Sequence, residues 1–202
     1  PGPASPPKPG VYRYRTSGGG AEERGEEDTT SRVEERGRSG EEVRLRVTTA
    51  GGRLTSASEV AWRPDGVRTL RTTFTFGESR GDCDWEPDVV DLQFPLGPGA
   101  TWSSESSCAV TGVAPTPIPL SRSVRAEVIG LRRVRIDGQV VDVWAIRRVE
   151  KLSGAGASGE STAVALFSPR HGLDVEVTGT ISSGQGSGEF RQVLLGLQPG
   201  PL

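Results

Sequence analysis

In segment after segment of this chain the apolar residues alternate with a period of two, and none repeats at 3.6, so β-strands are the regular structure the sequence can build. In Val11-Tyr12-Arg13-Tyr14-Arg15 the tyrosines share one face and are expected to point inward. Val43, Leu45 and Val47 share a face with arginines on the other, Val60 and Trp62 pair up in Leu54 to Arg63, and Val124, Ala126 and Val128 do so in Ser123 to Arg135. The run Leu70 to Phe76, with Phe74 in it, is β-branched and aromatic, which is strand composition. Turn signals such as Gly51-Gly52, Pro64-Asp65-Gly66 and Asp137-Gly138 arrive about every ten to fifteen residues, giving roughly ten to twelve strands. The fold expected is all-β: a large antiparallel meander curled into an open or partial (half) barrel, with a β-sandwich as the alternative.

The pivot of that meander is Leu92 to Trp102, where an apolar strand end meets a Pro-Gly corner and a Trp-bearing strand follows at once. The corner is expected to divide the chain into two β-rich halves. Around it, Gly77 to Asp88 reads as an acidic loop and Val113 to Pro119, with three prolines, as an irregular crossing between the halves. Ser153 to Glu160 and Ser182 to Gly188 read as Gly- and Ser-rich loops. The only two cysteines, Cys83 and Cys108, flank the corner. With no Cys-x-x-Cys and a single histidine they are poor metal ligands but well placed to cross-link neighbouring strands, which points to an oxidising compartment. A bridge closing that loop is worth roughly 3 to 4 kcal/mol in the chain-entropy model. The alternative is a pair of buried free thiols.

Residues 1–9, rich in proline, read as a disordered tether, because proline lacks the amide donor and fixes φ. Residues 10–198 read as a single β-rich domain and 199–202 as a tail. With 24 basic and 26 acidic residues the net charge is −2, so no global field favours nucleic acid or an anionic membrane. No apolar run approaches the length of about 18 residues that spans a bilayer. Membrane association is therefore expected only through an N-terminal anchor or signal that has been removed or was never included.

The corner Phe94-Pro95-Leu96-Gly97-Pro98-Gly99-Ala100-Thr101-Trp102 resembles the corner of secreted bacterial β-rich proteins described as TapB-like, which are thought to be related to the LolA and LppX half-barrels. Val128-Ile129-Gly130 with Asp137-Gly138, and Phe167 to Val175, look like further parts of that pattern, so the resemblance covers about residues 90 to 197. The chain departs from it at Phe167 and Ser168, where the family more often has a Trp-Tyr pair, and in having no helices to cover the concavity. What the resemblance implies is an exported or lipoprotein half-barrel wrapped around an apolar concavity, some of whose relatives carry lipids. It transfers no catalytic residue.

The chemistry-bearing residues are few. His171, the only histidine, sits in Ser168-Pro169-Arg170-His171-Gly172, a turn with no nucleophile motif around it. Asp82, Asp84, Glu86 and Asp88 offer alternate oxygens suited to calcium, although the spacing is not that of an EF-hand. The carboxylate pairs Glu22/Glu23, Glu26/Glu27 and Glu41/Glu42 lie in polar surroundings that would not raise a pKa for glycosidase work. Glycines near Gly18 and Gly184 precede no helix and are not phosphate cradles. Flat aromatic faces suit apolar ligands, which makes Trp62, Phe74, Trp102 and Trp144 the candidate ligand-binding residues. The expectation is a non-enzymatic, monomeric, extracytoplasmic domain without cofactor, whose curved sheet binds an apolar or lipid ligand or an envelope protein. The alternative is a structural or interaction module with a filled core.

Overall fold

The computed structural model describes residues 3–18, 26–51, 54–154, 157–184 and 186–202. Its strands are β1 (Gly10–Gly18), β2 (Glu27–Ser39), β3 (Glu42–Gly51), β4 (Leu54–Arg63), β5 (Gly66–Phe76), β6 (Ser79–Gln93), β7 (Thr101–Val110), β8 (Ile118–Ile136), β9 (Gln139–Gly154), β10 (Ala157–Ser168), β11 (Leu173–Ser183) and β12 (Gly186–Leu194). Each pairs antiparallel with its neighbour in sequence, and β1 pairs with β12. The all-β antiparallel meander is as expected, but the sheet is a closed twelve-stranded barrel. It is neither an open half-barrel nor a sandwich. Closure rests on the register Tyr14 with Leu194 through Gly18 with Phe190, a pairing across the whole chain. Closure removes the two exposed edges that an open sheet would leave.

Alternation decides which side chains face the lumen. Tyr12, Tyr14, Val33, Val43 and Leu45 are buried while Arg13, Arg15, Arg32 and Arg44 between them are exposed. The outward rows carry charge on strand after strand, with ion pairs such as Arg147–Glu127 and Arg191–Glu176, where a lipid-facing barrel needs an apolar band.

The Phe94 to Ala100 corner does not separate two halves. It is the β6–β7 connection at one end of a continuous barrel. It is held by Phe94 N donating to Asp65 O (2.9 Å), Gly99 N to Val128 O (2.9 Å) and Val128 N to Ala100 O (2.8 Å). Phe94 packs on Trp62 with ring centroids 5.8 Å apart, and Leu96 and Ala100 join the main core. Both termini come to this end. Residues 3–9, read from sequence as a tether, lie against the barrel: Ser5 N donates to Pro169 O (2.8 Å), Ala4 joins the main core and Pro7 is buried. Gly172 permits this, because at φ +67° a Cβ there would sit 2.3 Å from Ser5 O. In the tail, Gly200 exchanges both backbone hydrogen bonds with Val11.

Two segments read as a loop and as a crossing are placed differently. The acidic stretch is the first half of β6, and residues 113–117 belong to the β7–β8 hairpin connection rather than to a crossing, with Ile118 and Pro119 already in β8. Gly52, Glu22, Glu23 and parts of the Gly-rich loops lie outside the described residues.

Candidate functional site in the barrel lumen

Twelve strands enclose more space than small side chains fill, so the interior must be packed with large residues, pinched, or left hollow. This barrel does all three. A main core gathers Tyr12, Trp62, Leu92, Trp102, Trp144 and Phe167 toward the corner end. Trp62 on β4 and Phe167 on β10 lie far apart around the circuit of strands, yet their ring centroids are 6.4 Å apart, so the lumen is pinched there. A second cluster fills the β5–β8 side: Cys83, Trp85, Val89, Val110 and Val124, with Phe74 and Leu120 against it. The Cys83–Cys108 disulfide, with Cα atoms 5.6 Å apart, lies within this cluster and joins β6 to β7.

Beside the main core remains a cavity of about 470 Å³. Its β2–β4 wall is uncharged, with Val33, Leu45, Val47, Val60 and Trp62 alongside the hydroxyl residues Ser31, Thr49 and Ser58. The wall across from it carries Asp91 of β6, Arg148 of β9 and Asp174 of β11. Pro7 and Gly172 close one end, so the N-terminal segment is part of the cavity's boundary.

The charged wall and the side chains behind it form separate sets of contacts. Arg122 of β8 donates through Nε and Nη2 to Glu150 (2.8 and 3.1 Å), and Nη2 also reaches Asp91 Oδ1 (3.4 Å). Thr69 donates to Asp91 Oδ2 (2.6 Å), and Arg148 Nη1 donates to Asp174 Oδ2 (2.9 Å). Gln192, also on the wall, donates to Thr29 Oγ1 (3.3 Å). About a quarter of the Asp91 side chain is exposed, and it lines the cavity. Burial raises its pKa above the ordinary value, against the pull of Arg122, Thr69 and Arg148. Burial also works against the charge of Arg122, but Asp91 and Glu150 outweigh it and keep the guanidinium protonated. The Tyr14 phenol is pushed up by burial, then by Asp174 and Tyr12.

Of the four aromatic residues singled out in the sequence, only Trp62 lines the cavity. Trp102 and Trp144 are spent in the main core and Phe74 packs on the second cluster. The acidic residues of β6 are laid along a strand and not gathered: Asp82 is held by Thr73, Arg71 and Arg80, Asp84 by Arg71, and Asp88 lies near Arg63. Among the described residues, no three His, Cys, Asp or Glu side chains are grouped to hold a metal. His171 Nδ1 is 2.9 Å from the Ser168 hydroxyl, but Ser168 is fully buried and its carbonyl accepts from His171 N and Gly172 N, so the pair closes a turn. Burial lowers the His171 pKa, helped by Arg170 and Lys8.

Sequence reasoning missed Asp91, Arg122, Arg148 and Asp174. The signal for the arginines was parity, since Arg122 shares its face with Leu120, Val124 and Ala126, and Arg148 with Ile146. Asp174 carried no such signal, because the β10–β11 register shifts between Leu166 and Phe167. The chain matches no protein-family model, no curated protein and no solved structure.

Proposed function

We propose that this is a non-enzymatic, extracytoplasmic binding module that holds an apolar or amphiphilic ligand in its barrel lumen. The observation that carries the reading is the cavity of about 470 Å³ with Trp62 on its uncharged wall, in the size range of small-molecule sites. The disulfide supports an oxidising compartment. The resemblance of the corner to exported half-barrel lipoproteins points the same way, with the ligand space enclosed here by a closed sheet. The Ser168 hydroxyl beside His171 is buried, which supports the non-enzymatic part.

The competing reading is a structural module, and the packing of Trp102 and Trp144 in the core favours it. Native mass spectrometry with solvent extraction, on protein purified from its own envelope, separates the two. A reproducible bound mass of lipid size is expected. A clean apo mass, with a lipid-binding control protein retaining its ligand under the same handling, would favour the structural module.

A further inference from the structure

The two sides of the lumen cavity differ in charge. The β2–β4 side carries none, and among the described residues the charged groups that line the cavity are Asp91, Arg148 and Asp174 on the facing side. Arg122 of β8 and Glu150 of β9 stand next to them and act on Asp91.

These five side chains do not balance. Each guanidinium has a carboxylate of its own: Arg148 Nη1 donates to Asp174 Oδ2 at 2.9 Å, and Arg122 donates to both oxygens of Glu150 at 2.8 and 3.1 Å. Three carboxylates against two guanidiniums leave one negative charge over, and the geometry places it on Asp91. Its shortest hydrogen bond comes from a neutral group, the Thr69 hydroxyl at 2.6 Å. Arg122 Nη2 stands at 3.4 Å from Asp91 and is shared with Glu150. A carboxylate has about four acceptor sites, so Asp91 keeps acceptor capacity, and its side chain is about a quarter exposed where it lines the cavity. Its raised pKa agrees with a charge left short of partners. Burial, with Glu150 acting the same way, outweighs Arg122, Thr69 and Arg148.

From this surplus we infer that the lumen ligand is a small-molecule amine, with one protonated ammonium that donates to Asp91 and an apolar body along the uncharged β2–β4 wall. The inference rests on the lumen reading proposed above and names the ligand's charge. An ammonium brings the missing positive charge to a carboxylate already removed from much of its water, and Asp91 in turn offsets the ammonium's own loss of hydration. A carboxylate or phosphate head would set a second negative charge against Asp91 with both guanidiniums taken, so the wall that admits an amine rejects an acid. A neutral head would leave the surplus where it is.

The test is calorimetric titration of the whole chain at about pH 8, where alkylamines are protonated, with three eight-carbon probes: octylamine, octanoate and 1-octanol. Octylamine should bind at least about tenfold more tightly than either of the others. Asp91→Asn removes the surplus charge and should bring octylamine to within about threefold of 1-octanol, with 1-octanol itself little changed. Glu150→Gln serves where Asp91→Asn fails to fold: Arg122 then has no carboxylate but Asp91, and the amine preference should shrink likewise. Octanoate or 1-octanol binding the parent chain as tightly as octylamine overturns the amine inference and leaves the lumen reading standing. An octylamine preference undiminished in whichever variant folds also overturns it. Failure of all three probes to bind the folded chain overturns both.

Discussion

β8 and β9 are joined by their backbones from Ser121 with Ser153 to Ile136 with Gln139, with one shift in register between Val128 and Gly130. β6 and β7, two strands away in the same barrel, share one ladder pair, Glu86 with Ser107, and a bridge between Asp82 and Thr111. Pro87 gives β6 no amide at the centre of that seam. Side chains take over there. Val90 N donates to Ser104 Oγ (3.0 Å), Ser107 Oγ donates to Glu86 O (3.3 Å), Asp91 reaches past β7 to Arg122 of β8, and Cys83 is bonded to Cys108. One pair of strands is held by a backbone ladder; the other is held by packing, hydroxyls, an ion pair and a covalent bond. The lesson is that closure of this barrel depends at one seam on a few named side chains, so single substitutions there should act where similar ones on β8–β9 do not.

The largest effect is expected from packing. Trp102 sits at the start of β7, buried in the main core, and its indole Nε1 has no hydrogen-bond partner. Trp102→Ala should destabilise the fold by about 3 to 5 kcal/mol in denaturant titration. Trp102→Phe should cost much less, since it keeps most of the ring and removes the unpaired donor. A loss below about 1 kcal/mol for the alanine variant would mean that β7 is not held by its core ring.

Next comes the covalent link. Cys83→Ser with Cys108→Ser should cost roughly 3 to 4 kcal/mol. Hydrogen exchange on the double variant should show faster opening of β6 and β7 amides than of β8 and β9 amides. Equal acceleration in both pairs would remove the contrast between seam and ladder.

That contrast also marks the limit of what the sequence reveals. The strands with local alternation were legible: Leu54–Arg63 is β4 with the same bounds, and the tyrosine face of β1 points inward as expected. The first half of β6 was hidden because Asp82, Asp84 and Glu86 look like loop residues until Arg71, supplied by β5, is set beside the two aspartates. Closure was hidden because the pairing of Tyr14 with Leu194 is decided by geometry around the whole circuit. The cavity was only half legible. Trp62 could be read as a wall residue from its type and parity. The acids and arginines opposite it matter through partners on other strands, which a linear reading does not bring together.

The smallest effect isolates one hydrogen bond. Ser104→Ala deletes the hydroxyl that accepts from Val90 N, and Ser104 is buried, so water does not readily replace it. A cost of about 1 kcal/mol is expected, with faster exchange of the Val90 amide by NMR. The comparison on the laddered pair is Arg133→Ala, which removes an exposed ion pair with Asp142. Its side chain is 72% exposed, and the change should stay within about 0.5 kcal/mol. The smaller deletion would then cost more, because it removes a substitute for a missing ladder bond while the larger one removes an ornament on a complete ladder. Equal costs would mean that the seam shares the backbone strength of its neighbours, and that the hydroxyls of β7 are incidental to closing the barrel.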